Sequence, residues 1–249
     1  MNKHLLVIAR YKCDKQNLFD NFISPQNKEY AKKHDFNYIE IKNDYPLELI
    51  RANPTWWKFS IIRNFINSGI FKMGDIVTHF DADMAIVKND YAYLTSKSFS
   101  YSIDNGNTHC MGNFSIKINE WSIDLINRIL DDSFYNTCKY YDHWQNFREQ
   151  AAWYSLCGIQ SHSDKSFFEI ENYGWHSNIT PHTYYDIQTL HKHVDIKGPE
   201  WNTTLLEEEQ DDDISKFLQQ YNIVKSFKEN TIIRHFAGGQ PWSMEYLNK

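Results

Sequence analysis

No stretch of this 249-residue chain approaches the length of a membrane span. Leu5 to Ala9 is the only apolar run near the N-terminus, too short for a signal core or a transmembrane helix, and charge resumes at Arg10. Any contact with lipid is expected to be peripheral. Cysteine is sparse as well. Cys13, Cys110, Cys138 and Cys157 are widely spaced and form no Cys-x-x-Cys pair, which argues against a stapled secreted scaffold and fits reduced thiols in a cytoplasm. Basic excess is also missing. Lys+Arg 26 against Asp+Glu 32 gives a net charge of −6, which leaves no electrostatic footprint for nucleic acid. Glycine is absent from Arg10-Tyr-Lys-Cys-Asp14, so the loop after the first apolar run offers no backbone cradle for a triphosphate.

What the chain does contain is enough apolar residue for one large α/β domain or two small ones, and no shift in composition marks a linker. Aromatic residues reach 16%, with eight tryptophans; such rings fill cores and also stack on sugars and bases. Leu5 to Ala9 reads as a buried strand, followed by a polar helix with Ser24 as N-cap and Pro25 at its first position. Tyr38 to Ile41 completes a first βαβ unit. Thr55 to Asn67 carries Trp57, Ile61 and Phe65 at helical spacing and ends near Gly69. Phe99 to Ile103 and Phe114 to Ile118 read as strands, and Asn119 or Ser122 caps the helix that follows. A helix is expected from Phe147 to Leu156, a strand from Phe167 to Ile170, a helix from Ile214 to Tyr221 behind the acidic run 207–213, and a strand at Thr231 to Ile233. His182, His191 and His193 fall in a polar region without regular spacing and read as solvated loop.

The stretch that organises the rest is Ile76 to Val87, IVTHFDADMAIV. An apolar run reaches Phe80, breaks into Asp81-Ala82-Asp83 and resumes at Met84, which reads as one buried strand with acid at its carboxyl end. Ligands of open α/β sheets bind there. In continued strand geometry Asp81 and Asp83 face one way, and two hard oxygen donors suit Mg²⁺ or Mn²⁺ that borrows further ligands from a substrate phosphate. Lys58 is the one charge in the first turns of its helix, open between a snorkelling and a functional role. His235, at a strand end ahead of Gly238-Gly239, is a better site candidate than any other histidine.

In order along the chain, several segments resemble the GT-A glycosyltransferases, most closely the retaining galactosyl-, mannosyl- and xylosyltransferase family of fungal mannan enzymes and plant xyloglucan xylosyltransferases. The segments are Asn27-Lys-Glu-Tyr-Ala-Lys-Lys-His34, Trp56-Trp57-Lys58, His79-Phe-Asp-Ala-Asp-Met-Ala-Ile86, Met111-Gly112-Asn113-Phe114-Ser115-Ile116, Glu120-Trp121-Ser122, Glu149-Gln150-Ala151-Ala152 and Arg234-His235-Phe236-Ala237-Gly238. The resemblance implies a single α/β domain over residues 1–249, GT-A and Rossmann-like, with a central mostly parallel sheet flanked by helices. Residues 1–105 would form the nucleotide-binding half and 106–249 the acceptor half.

It further implies a nucleoside-diphosphate sugar as donor, a glycan or other hydroxyl acceptor, and Mn²⁺ or Mg²⁺. The metal ligands would be Asp81, Asp83 and His235. Donor contacts would come from Asp81, Lys58, Gly238, Gly239 and Gln240, with Gln150 beside the anomeric carbon and Asn113 and Glu149 orienting the sugar. Gln240 stands where the family has lysine, and Asp35 where it has glycine. Two other readings stay open on the residues alone. One is a catalytically silent carbohydrate-binding protein of the same fold, and the other a metal-dependent nucleotidyltransferase or phosphohydrolase.

Overall fold

The computed structural model describes residues 1–9, 19–42, 54–104, 109–131, 149–157, 184–204 and 228–236. β1 (Lys3–Ile8) has β2 (Asn37–Ile41) and β3 (Ile76–Asp81) parallel to it on either side. β6 (His109–Lys117) runs antiparallel to β3, β5 (Phe99–Ile103) antiparallel to β6, and β7 (Val194–Lys197) parallel to β5, giving the order β2-β1-β3-β6-β5-β7. The expected mostly parallel α/β sheet is therefore present. The strand order reverses between β1 and β3, so their carboxyl ends, where Ile8 pairs with Asp81, form a topological switch point.

β1 is buried on both faces, as its unbroken apolar run requires. Leu6 joins the core beneath α2 (Trp57–Asn67), α3 (Glu120–Ile129) and α4 (Glu149–Cys157), while Leu5 and Val7 join the core beneath α1 (Ser24–Lys33). The first core stacks Phe59 of α2 flat on Phe114 of β6, with Trp153 of α4 against Phe99. Both candidate caps of α3 are used, since Asn119 accepts from the Ser122 backbone N–H while Ser122 Oγ accepts from that of Asn119. α2 ends where Gly69 takes a positive φ. Asp35 adopts φ 58° just after α1, a left-handed turn that aspartate tolerates better than most side chains. That geometry accounts for its standing at a family glycine position.

Several expectations are corrected. Ser24 does not cap α1. A π-helical turn, Phe19–Ile23, runs straight into the helix, so Ile23 is the helical N-cap and Ser24 Oγ instead donates to Glu40 at 2.6 Å. The stretch from Ile76 to Val87 is not one strand. It turns at Ala82-Asp83, and β4 (Met84–Ile86) leaves the main sheet to pair antiparallel with β8 (Ile233–His235). β6 starts at His109, earlier than its apolar run. His191 and His193 lie on α5 (Ile187–His193), capped by Asp186 accepting from the Thr189 N–H at 2.7 Å. Only Leu190 of that short helix is buried, too little to leave a periodic signal. Residues 167–170, His182 and residues 207–221 lie outside the described residues.

Candidate active site

Lys58 enters the site from the first turn of α2 and is 4% exposed. Its ammonium reaches Asp81 Oδ1 at 3.2 Å, Glu149 Oε1 at 3.1 Å and the Met111 carbonyl at 2.9 Å. Three donors thus meet three acceptors, and the amine is fully used within the protein. Burial disfavours its charge, but the two carboxylates outweigh that and hold its pKa above the usual lysine value. Burial likewise raises Asp81, and the Lys58 charge together with the His79 hydrogen bond overcomes this, leaving the carboxyl well below its usual range. Glu149 goes the other way, with burial pushing its pKa up beyond what Lys58 offsets.

His79 lies two residues before Asp81 on the same face of β3. Its Nδ1 faces the Leu6 carbonyl at 3.1 Å and its Nε2 faces Asp81 Oδ1 at 2.9 Å. Burial lowers its pKa, against the pull of Asp81. The carboxylate at the end of β3 is therefore held from two sides, by α2 and by its own strand.

The other half of the site is built by the small sheet. β4–β8 pairing sets Met84 opposite His235, and the Phe236 N–H donates to the Asp83 carbonyl at 3.0 Å. His235 Nε2 then lies 3.4 Å from Asp83 Oδ1. Its Nδ1 is 2.8 Å from Asn202 Oδ1, which orients the ring so that Nε2 turns toward the acids. Burial disfavours the imidazolium, yet Asp83 raises the pKa well above the histidine norm. The pair calls for positive charge at this point. Asp81, Asp83 and His235 each offer one ligand atom, all within 4.8 Å of one another, and this donor set of two carboxylates and an imidazole fits a divalent ion.

Gly112 lets these groups close. A Cβ there would come within 2.8 Å of Met84 Cε and 3.1 Å of both Asp81 Oδ2 and His235 Cε1. A glycine between Met111 and Asn113, inside a strand, is a sign of close backbone approach, and the two-residue spacing of His79 from Asp81 places both on one face. Nothing in the sequence pointed to Asn202.

Gln150 sits beside Glu149 at the start of α4. Its carbonyl accepts from the Met111 N–H at 3.1 Å and its amide donates to Tyr154 OH at 2.9 Å. Asn113 lies one residue from Phe114 and so leaves the opposite face of β6. There its amide donates to the Trp201 carbonyl at 2.5 Å, while its buried Oδ1 has no partner among the described residues. Arg234 is buried, donating to the Thr203 carbonyl at 3.1 Å. Trp56 is likewise core. Gly238, Gly239 and Gln240 lie outside the described residues.

No family model matches the chain, and no curated protein does. Among solved structures, a glycosyltransferase involved in glycosylation of the major capsid of PBCV-1 superposes with a TM-score of 0.51 at 10% identity, covering 94% of this chain and 93% of that one. Mouse xyloside xylosyltransferase 1 covers 97% and 99% at 11% identity, with a TM-score of 0.47. The galactosyltransferase LgtC, in complex with donor and acceptor sugar analogues, covers 98% and 94% at 11% identity, with a TM-score of 0.43. The fold is that of the GT-A glycosyltransferases.

Proposed function

We propose that the protein is a metal-dependent retaining glycosyltransferase that moves a sugar from a nucleoside-diphosphate sugar to a hydroxyl of a glycan or other acceptor. The observation that carries this reading is the convergence of Asp81, Asp83 and His235 at the carboxyl end of β3, the switch point of a GT-A fold. Asp83 and His235, with Asp81, would hold Mn²⁺ or Mg²⁺; the imidazole favours Mn²⁺. Such an ion supplies Lewis-acid stabilisation of a diphosphate leaving group.

The chain's own groups divide the remaining work. Asp81, fixed from below by Lys58 and His79, keeps its second oxygen toward the donor. Residues 1–105 bind the nucleotide and 106–249 the acceptor, with Gly238, Gly239 and Gln240 contributing contacts to the diphosphate. Glu149 and Asn113 orient the donor sugar, Asn113 through its unpartnered oxygen. Gln150 lies beside the anomeric carbon. A carboxamide is a poor nucleophile, which favours same-face substitution over a covalent intermediate.

No helix among the described residues is long and apolar enough to cross a membrane, and Cys110 and Cys157 are free thiols. Both agree with action in the cytoplasm, with at most peripheral contact with lipid. The test is a thermal-shift panel of nucleotide sugars with and without Mn²⁺, followed by transfer assays and product NMR. Metal-dependent stabilisation by one donor and a retained anomeric linkage are expected. Full transfer in excess chelator, or an inverted linkage, overturns the corresponding part of the reading.

A further inference from the structure

Beside the β4–β8 pair a cavity of about 580 Å³ opens to solvent, and none of Asp81, Asp83 and His235 lines it. That volume lies within the range of small-ligand pockets, about 300 to 1,000 Å³. Lys88, Tyr91, Glu200, Thr203, Glu229 and Asn230 contribute to its lining. We infer that this cavity binds a neutral saccharide, at a site separate from the Asp81–Asp83–His235 cluster. The inference goes beyond the proposed transfer activity and does not depend on it.

The walls are stitched by backbone hydrogen bonds and are formed before any ligand arrives. Val87 and Lys88 donate to the Ile232 carbonyl at 2.8 and 3.1 Å, and Ile232 donates to the Glu200 carbonyl at 2.7 Å. Thr203 N–H donates to the Ile233 carbonyl at 3.0 Å. Tyr91 is 59% exposed although its carbonyl is anchored by Tyr30 OH at 3.0 Å. A fixed backbone carrying an open ring is a stacking platform for the apolar face of a sugar.

Around it stand two carboxylates and an amide. Glu200 and Glu229 have no salt-bridge partner among the described residues, and planar acceptors of this kind take hydrogen bonds from sugar hydroxyls. The single cation, Lys88, already donates to the Glu229 carbonyl. Two acids against one engaged lysine disfavour a phosphate or an acidic sugar, and the aromatic platform favours a neutral ring.

The test is saturation-transfer NMR on the full chain. The probes are methyl α-glucopyranoside, methyl α-galactopyranoside, methyl α-mannopyranoside and N-acetylglucosamine, with spermidine and glucose 1-phosphate as charged comparators. At least one neutral sugar should bind, with affinity falling about tenfold in Tyr91→Ala and Glu229→Gln and holding within about twofold in Tyr91→Phe. Asp83→Asn should leave this binding unchanged, so loss of transfer in that variant and loss of saccharide binding report on different sites. The inference is overturned if no neutral sugar binds, if Tyr91→Ala binds as wild type, if Asp83→Asn removes the signal, or if only a charged comparator binds.

Discussion

Asp81 stands between two regions that handle charge in opposite ways. On the α2–α4 side, Lys58 and Glu149 side chains are 5% and 7% exposed, and every donor of the lysine is matched. On the β8 side, Asp83 keeps 26% of its side chain in solvent and faces a histidine whose charge its own presence promotes. In the first region the lysine is fully paired by protein groups. The second is left with an acid-rich opening that a cation would complete. A buried ion pair is weak evidence for net stability, whereas two partly exposed acids beside a buried imidazole at a switch point are a candidate binding arrangement.

The sharpest way to break this contrast is Lys58→Met. It leaves Asp81 and Glu149 buried without their cation and should lower stability by about 3–5 kcal/mol, read by urea unfolding. Adding Glu149→Leu should recover part of the loss, because the only carboxylate then left without the lysine is Asp81, which keeps its hydrogen bond with His79. Next in size, Asp83→Asn should cut Mn²⁺ affinity and transfer by on the order of a hundredfold, followed by metal titration in electron paramagnetic resonance, while the urea midpoint barely moves. Equal stability losses in Lys58→Met and Asp83→Asn would abolish the distinction between the two regions.

A smaller effect is expected from Asn202→Ala. Releasing His235 Nδ1 should weaken metal binding by about tenfold, with the unfolding curve as the control. The mildest probe is acid. His109 is buried behind the closed side and its pKa is pushed down to about 3 by burial, whereas an unfolded histidine titrates near 6.5. The unfolded chain therefore takes up a proton that the folded chain refuses. This contribution is intact above about pH 6.5 and is lost at about 1.4 kcal/mol per pH unit as pH falls toward 3. His109→Asn should flatten the difference in urea midpoint between pH 7 and pH 5 relative to wild type.

Much of the fold was legible wherever one physical cause dominated. The unbroken apolar run of β1 announced a strand buried on both faces, and Trp57, Ile61 and Phe65 announced α2. Asn119 and Ser122 offered competing caps because both belong to one reciprocal box. The sequence misled where tertiary pairing overrode a local pattern. Met84 to Ile86 continues the apolar composition of β3, yet it pairs with β8, a partner that no local window contains. α5 was missed because a seven-residue helix that buries one side chain leaves no period to detect.

At the site, the acid pair and His235 stood out by residue type. The surroundings of Lys58, open in the sequence between packing and chemistry, are seen only in the acceptors that converge on it. Asn202 acts through a histidine far along the chain, and an asparagine in a 3₁₀ connection has no pattern of its own.

The β4–β8 pairing also governs when the site comes into being. The six-stranded sheet can assemble from segments that precede β8, but Asp83 gains its imidazole only when the strand carrying His235 docks on β4, closing a long loop at an entropic cost that grows with the logarithm of its length. A ligand that bridges Asp83 and His235 would therefore act as a clasp on this docked strand. Its binding energy would be added to the docked state alone, so on the proposed function metal uptake would report the docking of β8 on β4.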